Sequence, residues 1–321
     1  MEDERADDRQ GPGPDQAAPI VTHCPPCREP GPAPGLITTM VISACFALLA
    51  IGYQLSWLIA QNDGTPAEFA ADLAVAVGLA LAPLPAVFAA VTLLQRCVPT
   101  PWVFQALVFA WGAGIAVFVS VAVESWVSAD LQVYFGVDEA AAERVSGLYV
   151  APPVEEALKG VALWRLLSHC RHAIAAISYG ILYASMTGVG FAAVENVLYY
   201  LIPVIRTGAD HGLAAATTRA PVVLLMHPLW TAVIGLGVGC ALATAGRARF
   251  LPVVLGYGGA TLLHFLWNRT IDNAPTVDAG TGLWSQVSAW MAERGGLYLP
   301  ELAVVGILIG VMVRERRRPP F

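Results

Sequence analysis

The chain has 321 residues, 56% of them hydrophobic and 13% charged, with a net charge of −6 and a mean hydropathy of +0.61. A soluble domain carries about 25% charged residues, so half of the expected charge is missing. That excludes disorder and collagen-like repeats, and the acidic balance excludes a nucleic-acid binder, which must neutralise phosphates.

Residues 1–35 read as a disordered tail, with Glu2, Asp3, Glu4, Asp7, Asp8 and Asp15 followed by a stretch rich in Pro and Gly. The tail holds His23-Cys24-Pro25-Pro26-Cys27, but no second Cys/His pair is spaced to complete a zinc site. From Leu36 onward the apolar residues fall in runs of about 20 rather than in amphipathic stripes. Eight such segments lie at roughly 36–60, 70–95, 102–127, 148–168, 173–201, 219–245, 250–270 and 298–313. The fold class expected is therefore all-α, a polytopic membrane helix bundle of about eight transmembrane helices over 36–313. A basic tail follows at 314–321.

Basic residues orient the bundle. Alternate connections carry Arg96, then Arg165 and Arg171, then Arg247 and Arg249, and finally Arg314, Arg316, Arg317 and Arg318. The other connections hold nothing basic at 61–69, then Arg144, Arg206 and Arg219, and Arg269 with Arg294 in a longer loop. The first, denser set is therefore placed in the cytoplasm, which puts both termini inside. Arg outnumbers Lys 17 to 1 and the chain is rich in Ala, which points to a GC-rich bacterial genome, and the membrane expected is then a bacterial inner membrane.

Ionisable residues at bilayer depth are functional-site candidates, because each costs about 2.5–3.5 kcal/mol on insertion scales. Four segments carry them, in Glu155-Glu156-Ala157-Leu158-Lys159, Glu195-Asn196, His227 and His264-Phe265-Leu266-Trp267-Asn268. Counted inward at 1.5 Å per residue, Glu155, Glu195, His227 and His264 all lie about 9–12 Å below one face. Each has an ordinary alternative. Lys159 can pair with either glutamate within its own helix, Glu195-Asn196 can cross-link helices, and a lone histidine is commonly an interhelical one. Four such coincidences at one level are less economical than one site. Glu155 and Glu156 stand about 100° apart around the helix, so one faces the site while the other packs against a polar neighbour or holds Lys159. Glu124, Asp72 and Glu301 lie near helix ends, where carboxylates are ordinary, and Glu124 is on the cluster's side.

Neutral imidazole and carboxylate are zinc's usual non-sulfur ligands. Glu195, His227 and His264 can supply three of them, with Glu155 or Glu156 as general base on the attacking water and Asn268 as oxyanion donor. Zinc or another divalent ion suits this set. A metal-free version also stands, in which Glu155 activates the water and the histidines orient it. Both are hydrolysis of an amide bond in or near the membrane.

Glu155-Glu156-x-x-Lys159, Phe191-x-x-x-Glu195-Asn196, His227 and His264-x-x-Trp267-Asn268 resemble, in order, the four motifs of the PrsW family. These are intramembrane proteases related to CAAX prenyl endopeptidases and Abi-type immunity proteins. The likeness covers about 148–270. It implies a glutamate-dependent endopeptidase, grouped with membrane metalloproteases, that cuts a single-span membrane protein such as an anti-sigma factor on its extracytoplasmic side. Two other readings compete with it. One is a non-catalytic membrane scaffold of the same fold. The other is a proton-coupled transporter, although no internal repeat or paired broken helices support it.

Overall fold

The computed structural model describes residues 34–60, 65–95, 98, 100–169, 174, 176–207, 209–244, 246–272 and 301–315. The Cys24/Cys27 motif, nearly all of the 1–35 tail, the 273–300 connection and the last six residues lie outside them. Every regular element among the described residues is helical. Five stretches are long and apolar enough to cross a membrane: Pro66–Thr92, Trp102–Phe135, Ile177–Ile202, Leu225–Leu242 and Gly246–Thr270. The remaining three of the eight expected segments are helical too, at α1 (Pro34–Ala60), within α7 (Ala151–His169) and over 301–315. α7 carries Glu155, Glu156, Lys159 and Arg165, which takes it out of the purely apolar class.

Local sequence explains the breaks. α2 (Pro66–Leu81) starts with a capping box, in which Glu68 N–H donates to Thr65 Oγ1 at 3.3 Å and Thr65 N–H donates to Glu68 Oε2 at 2.7 Å. Pro83, which has no N–H, separates it from α3 (Leu84–Gln95). α4 (Trp102–Trp111) continues through a π-turn at Gly112–Ala116 into α5 (Val117–Phe135). Gly136, at φ 63°, then ends that helix in a left-handed cap, with its own N–H and that of Val137 donating to Gln132 O and Leu131 O. Asp138 caps α6 (Glu139–Val145), accepting Ala141 N–H at 2.9 Å. A second π-turn, Ser146–Val150, leads directly into α7. π-turns gather at functional sites; the second of these lines the cleft described below, and the first leads into Val117, which also lines it.

α8 (Ile177–Thr207) is the central helix, with 78% of its apolar window buried, against 22% for Gly246–Thr270. It packs along α9 (Ala209–Leu242) at backbone contact. A Cβ on Gly188 would stand 2.5 Å from His227 O, so only glycine lets the two helices meet beside that histidine. α10 (Phe250–Asp272) closes the core, in which Leu163, Tyr183, Trp230, Ala260 and Trp267 are buried together. The outer faces are apolar: Leu48, Trp126 and Leu255 are 70%, 66% and 63% exposed, as suits helices against lipid.

Candidate active site

α7 presents Glu155, Glu156 and Lys159 on its inward side, and all three are buried. The Lys159 ammonium donates to Glu155 Oε2 at 3.0 Å, to Glu156 Oε1 at 2.8 Å and to His227 Nδ1 at 2.8 Å. It also lies 3.9 Å from the Phe191 ring centre, a cation–π contact. An ammonium only donates, so His227 Nδ1 accepts and its proton sits on Nε2. Nε2–H then donates to Glu195 Oε2 at 2.9 Å. His227 is thus held at both ring nitrogens, by a cation on one side and a carboxylate on the other.

Glu156 occupies the rear of the site. Its Oε1 lies 3.2 Å from His264 Nδ1, and its Oε2 accepts from Thr231 Oγ1 at 3.4 Å. Glu155 instead lines a cleft of about 380 Å³ together with Glu195, His227, His264 and Asn268. The expected division of the pair is therefore observed with one difference: Lys159 bonds both glutamates rather than one.

Donor atoms of Glu155, Glu156, His227 and His264 all lie within 4.8 Å of one another. Two carboxylates and two imidazoles, all buried, are a donor set that fits zinc or a similar ion. This group differs from the expected ligands Glu195, His227 and His264. Both histidines belong to it, while Glu195 reaches His227 from the other side, as the carboxylate that orients a ligating histidine does. Asn268 lines the cleft as expected, but one of its amide hydrogens is engaged, since Nδ2 donates to Gly147 O at 2.9 Å. Asn196 is buried in α8.

Trp230 stacks on His264, with ring centres 4.3 Å apart and planes 18° apart. Its indole N–H donates to Glu301 Oε1 at 2.8 Å. Glu301 is only 5% exposed, so it is a buried part of the site's backing and not the ordinary interfacial carboxylate expected. Nothing local in the sequence marks this, because its partner is 71 residues away.

The model of the PrsW family of intramembrane metalloproteases matches residues 100–292, more than half of the chain, and extends beyond 148–270 on both sides. No curated protein and no solved structure matches. With Glu155, the Glu195-bound histidine and His264 lining one cleft, Glu156 behind them, and the family model spanning every helix that builds it except 301–315, the chain belongs to the PrsW family of intramembrane metalloproteases.

Proposed function

We propose that the chain is an intramembrane endopeptidase that hydrolyses a peptide bond of a single-span membrane protein, of which an anti-sigma factor is one candidate. The observation that carries this reading is the buried group of Glu155, Glu156, His227 and His264 beside a cleft. Eight membrane spans with both termini cytoplasmic complete the proposal.

Glu155 lines the cleft, so it is the general base. It takes a proton from water as the water oxygen bonds to the scissile carbonyl carbon, then returns that proton to the amine as the C–N bond breaks. One water is consumed, and a carboxyl and an amino end are released. The second amide hydrogen of Asn268 is available to the developing oxyanion. Glu156 fixes His264, and Glu195 fixes His227.

Glu155, Glu156, His227 and His264 would hold a divalent ion, which would supply Lewis-acid polarisation of the carbonyl. A metal-free form is favoured by one observation, the Lys159 ammonium bonded to three of those four residues. Ion and ammonium would compete for His227 Nδ1.

The test is cleavage of co-expressed single-span candidate substrates by wild type and by Glu155→Gln, Glu156→Gln and His264→Ala at equal membrane levels. Removing the base or its supports is expected to cut cleavage at least about 100-fold, the lower end of a general base's contribution. Cleavage that survives all three changes would make the cluster structural and leave the scaffold reading. Chelator titration of the active protein separates the two cation states.

A further inference from the structure

The cleft has a second wall that the carboxylate–histidine cluster does not use. α5 lines it with Val117, Ser120, Val121 and Glu124, the i, i+3, i+4, i+7 stripe of a single helix face. Two of these are polar, and each keeps a polar atom unsatisfied. Ser120 Oγ and Glu124 Oε1 are enclosed and have no hydrogen-bond partner among the described residues. Ser120 is 1% exposed. A hydroxyl in a helix ordinarily returns to the carbonyl one turn back, as Thr187 does to Tyr183 O and Thr231 to His227 O. Ser120 does not. A buried polar group left unpaired costs stability. The wall is tied to the Ser146–Val150 turn, where Ser146 Oγ donates to Glu124 O at 3.1 Å.

The spacing of the pair defines its guest. Four residues along an α-helix advance about 6 Å, and two residues along an extended strand advance about 6.6–6.8 Å. Along one edge of a strand, N–H groups repeat at that interval with one carbonyl between them. A helical segment cannot use such a wall, because its backbone groups are bonded internally. We infer that Ser120 and Glu124 form a subsite for the unwound, extended backbone of the substrate. Glu124 and Ser120 accept N–H groups two residues apart, and the Ser120 hydroxyl donates to the carbonyl between them. The strand so held passes Glu155 and His227, which line the same cleft, with its carbonyls open to attack. This inference rests on the protease reading and adds to it the conformation in which the substrate is bound.

The test is photolabelling of the full chain in liposomes by an N-acetylated Leu/Val/Ala tetrapeptide amide carrying a diazirine. Losing one hydrogen bond is expected to raise the half-saturating concentration about three- to tenfold in Glu124→Leu and about threefold in Ser120→Ala. Glu124→Gln keeps an acceptor oxygen and stays within about threefold of wild type. N-methylation of the two alternate amides weakens labelling of wild type but adds nothing in Glu124→Leu. Thermal unfolding of Ser120→Ala and Glu124→Leu occurs at or above the wild-type temperature, because each change removes an unsatisfied group. Absence of saturable labelling in wild type, half-saturation unchanged in both variants, or earlier unfolding of both would each overturn the subsite. Labelling needs no cleavage, so the two readings fail separately. Pair-dependent labelling without proteolysis ends the protease reading, and proteolysis with pair-independent labelling ends the subsite alone.

Discussion

Lys159 is the chain's single lysine, and its ammonium is fully buried. Only the three acceptors around it make that burial tolerable. Breaking a buried ion pair from one side costs about 3–5 kcal/mol, because the other charge is left uncompensated. Lys159→Met is therefore expected to lose stability of that order in chelator-treated protein. Added zinc is expected to recover much of it, since an ion that binds only the folded state stabilises it by mass action. Thermal unfolding in detergent, with chelator and then with zinc, checks both. Equal stability of variant and wild type in chelator would dismiss the ammonium's role, and no response to zinc would dismiss the metal fit. Counting at 1.5 Å per residue already placed Glu155, Glu195, His227 and His264 at one level, and the bonds among them agree. The choice of partners was not legible. Whether Glu195 enters the compact four or holds His227 from behind depends on helix rotation, and rotation is weakly encoded in helices that are apolar on all sides.

The 301–315 helix acts on other helices through its two ends. Glu301 accepts from Trp230, and Glu315 accepts the N–H groups of Ile177 and Ser178 at 2.9 Å each. Those two donors open α8, where helical N–H groups have no partner of their own. A cap supplied from a distant segment ties the start of the central helix to the end of the chain. Glu315→Ala is expected to lower stability by about 1–2 kcal/mol, the range of a lost N-cap, with Glu315→Gln between it and wild type. Denaturation of the purified protein measures this, and an unchanged midpoint for Glu315→Ala would remove the cap from the account. That a helix lies here was readable from its apolar run. Its two anchors were not, since sequence patterns carry spacings of a few residues and these contacts span 71 and more than 130. Ser120 was silent for a related reason. A serine in an apolar helix is ordinary until the structure shows its hydroxyl unpaired at a cleft.

Across the whole molecule, Arg314 and the arginines of the α9–α10 turn lie at the end away from the site, while Arg144 lines the cleft itself. Glu315 touches the start of α8, and a Cβ on Gly239 would meet Ile177 at 2.7 Å. Arg314 and the α9–α10 turn with Arg247 and Arg249 therefore share the end at which α8 begins. Glu195 lies 18 residues further along α8, about 27 Å by the helical rise, close to the thickness of a hydrocarbon core of about 30 Å. Arginines concentrate on the cytoplasmic side, so the cleft is expected to open toward the outer face, where an unwound substrate segment can meet water. A C-terminal fusion to green fluorescent protein is then expected to fluoresce, and the same fusion to a periplasm-dependent phosphatase to stay inactive. A cysteine placed in the cleft wall at Tyr199, which is 49% exposed, is expected to react with a membrane-impermeant maleimide added to whole cells. The reverse pattern in all three would turn the bundle over, place the cleft at the cytoplasmic face and direct the search to substrates cut from inside. With the expected pattern, an anti-sigma factor anchored by one span, with its outer segment exposed, is the substrate to try first.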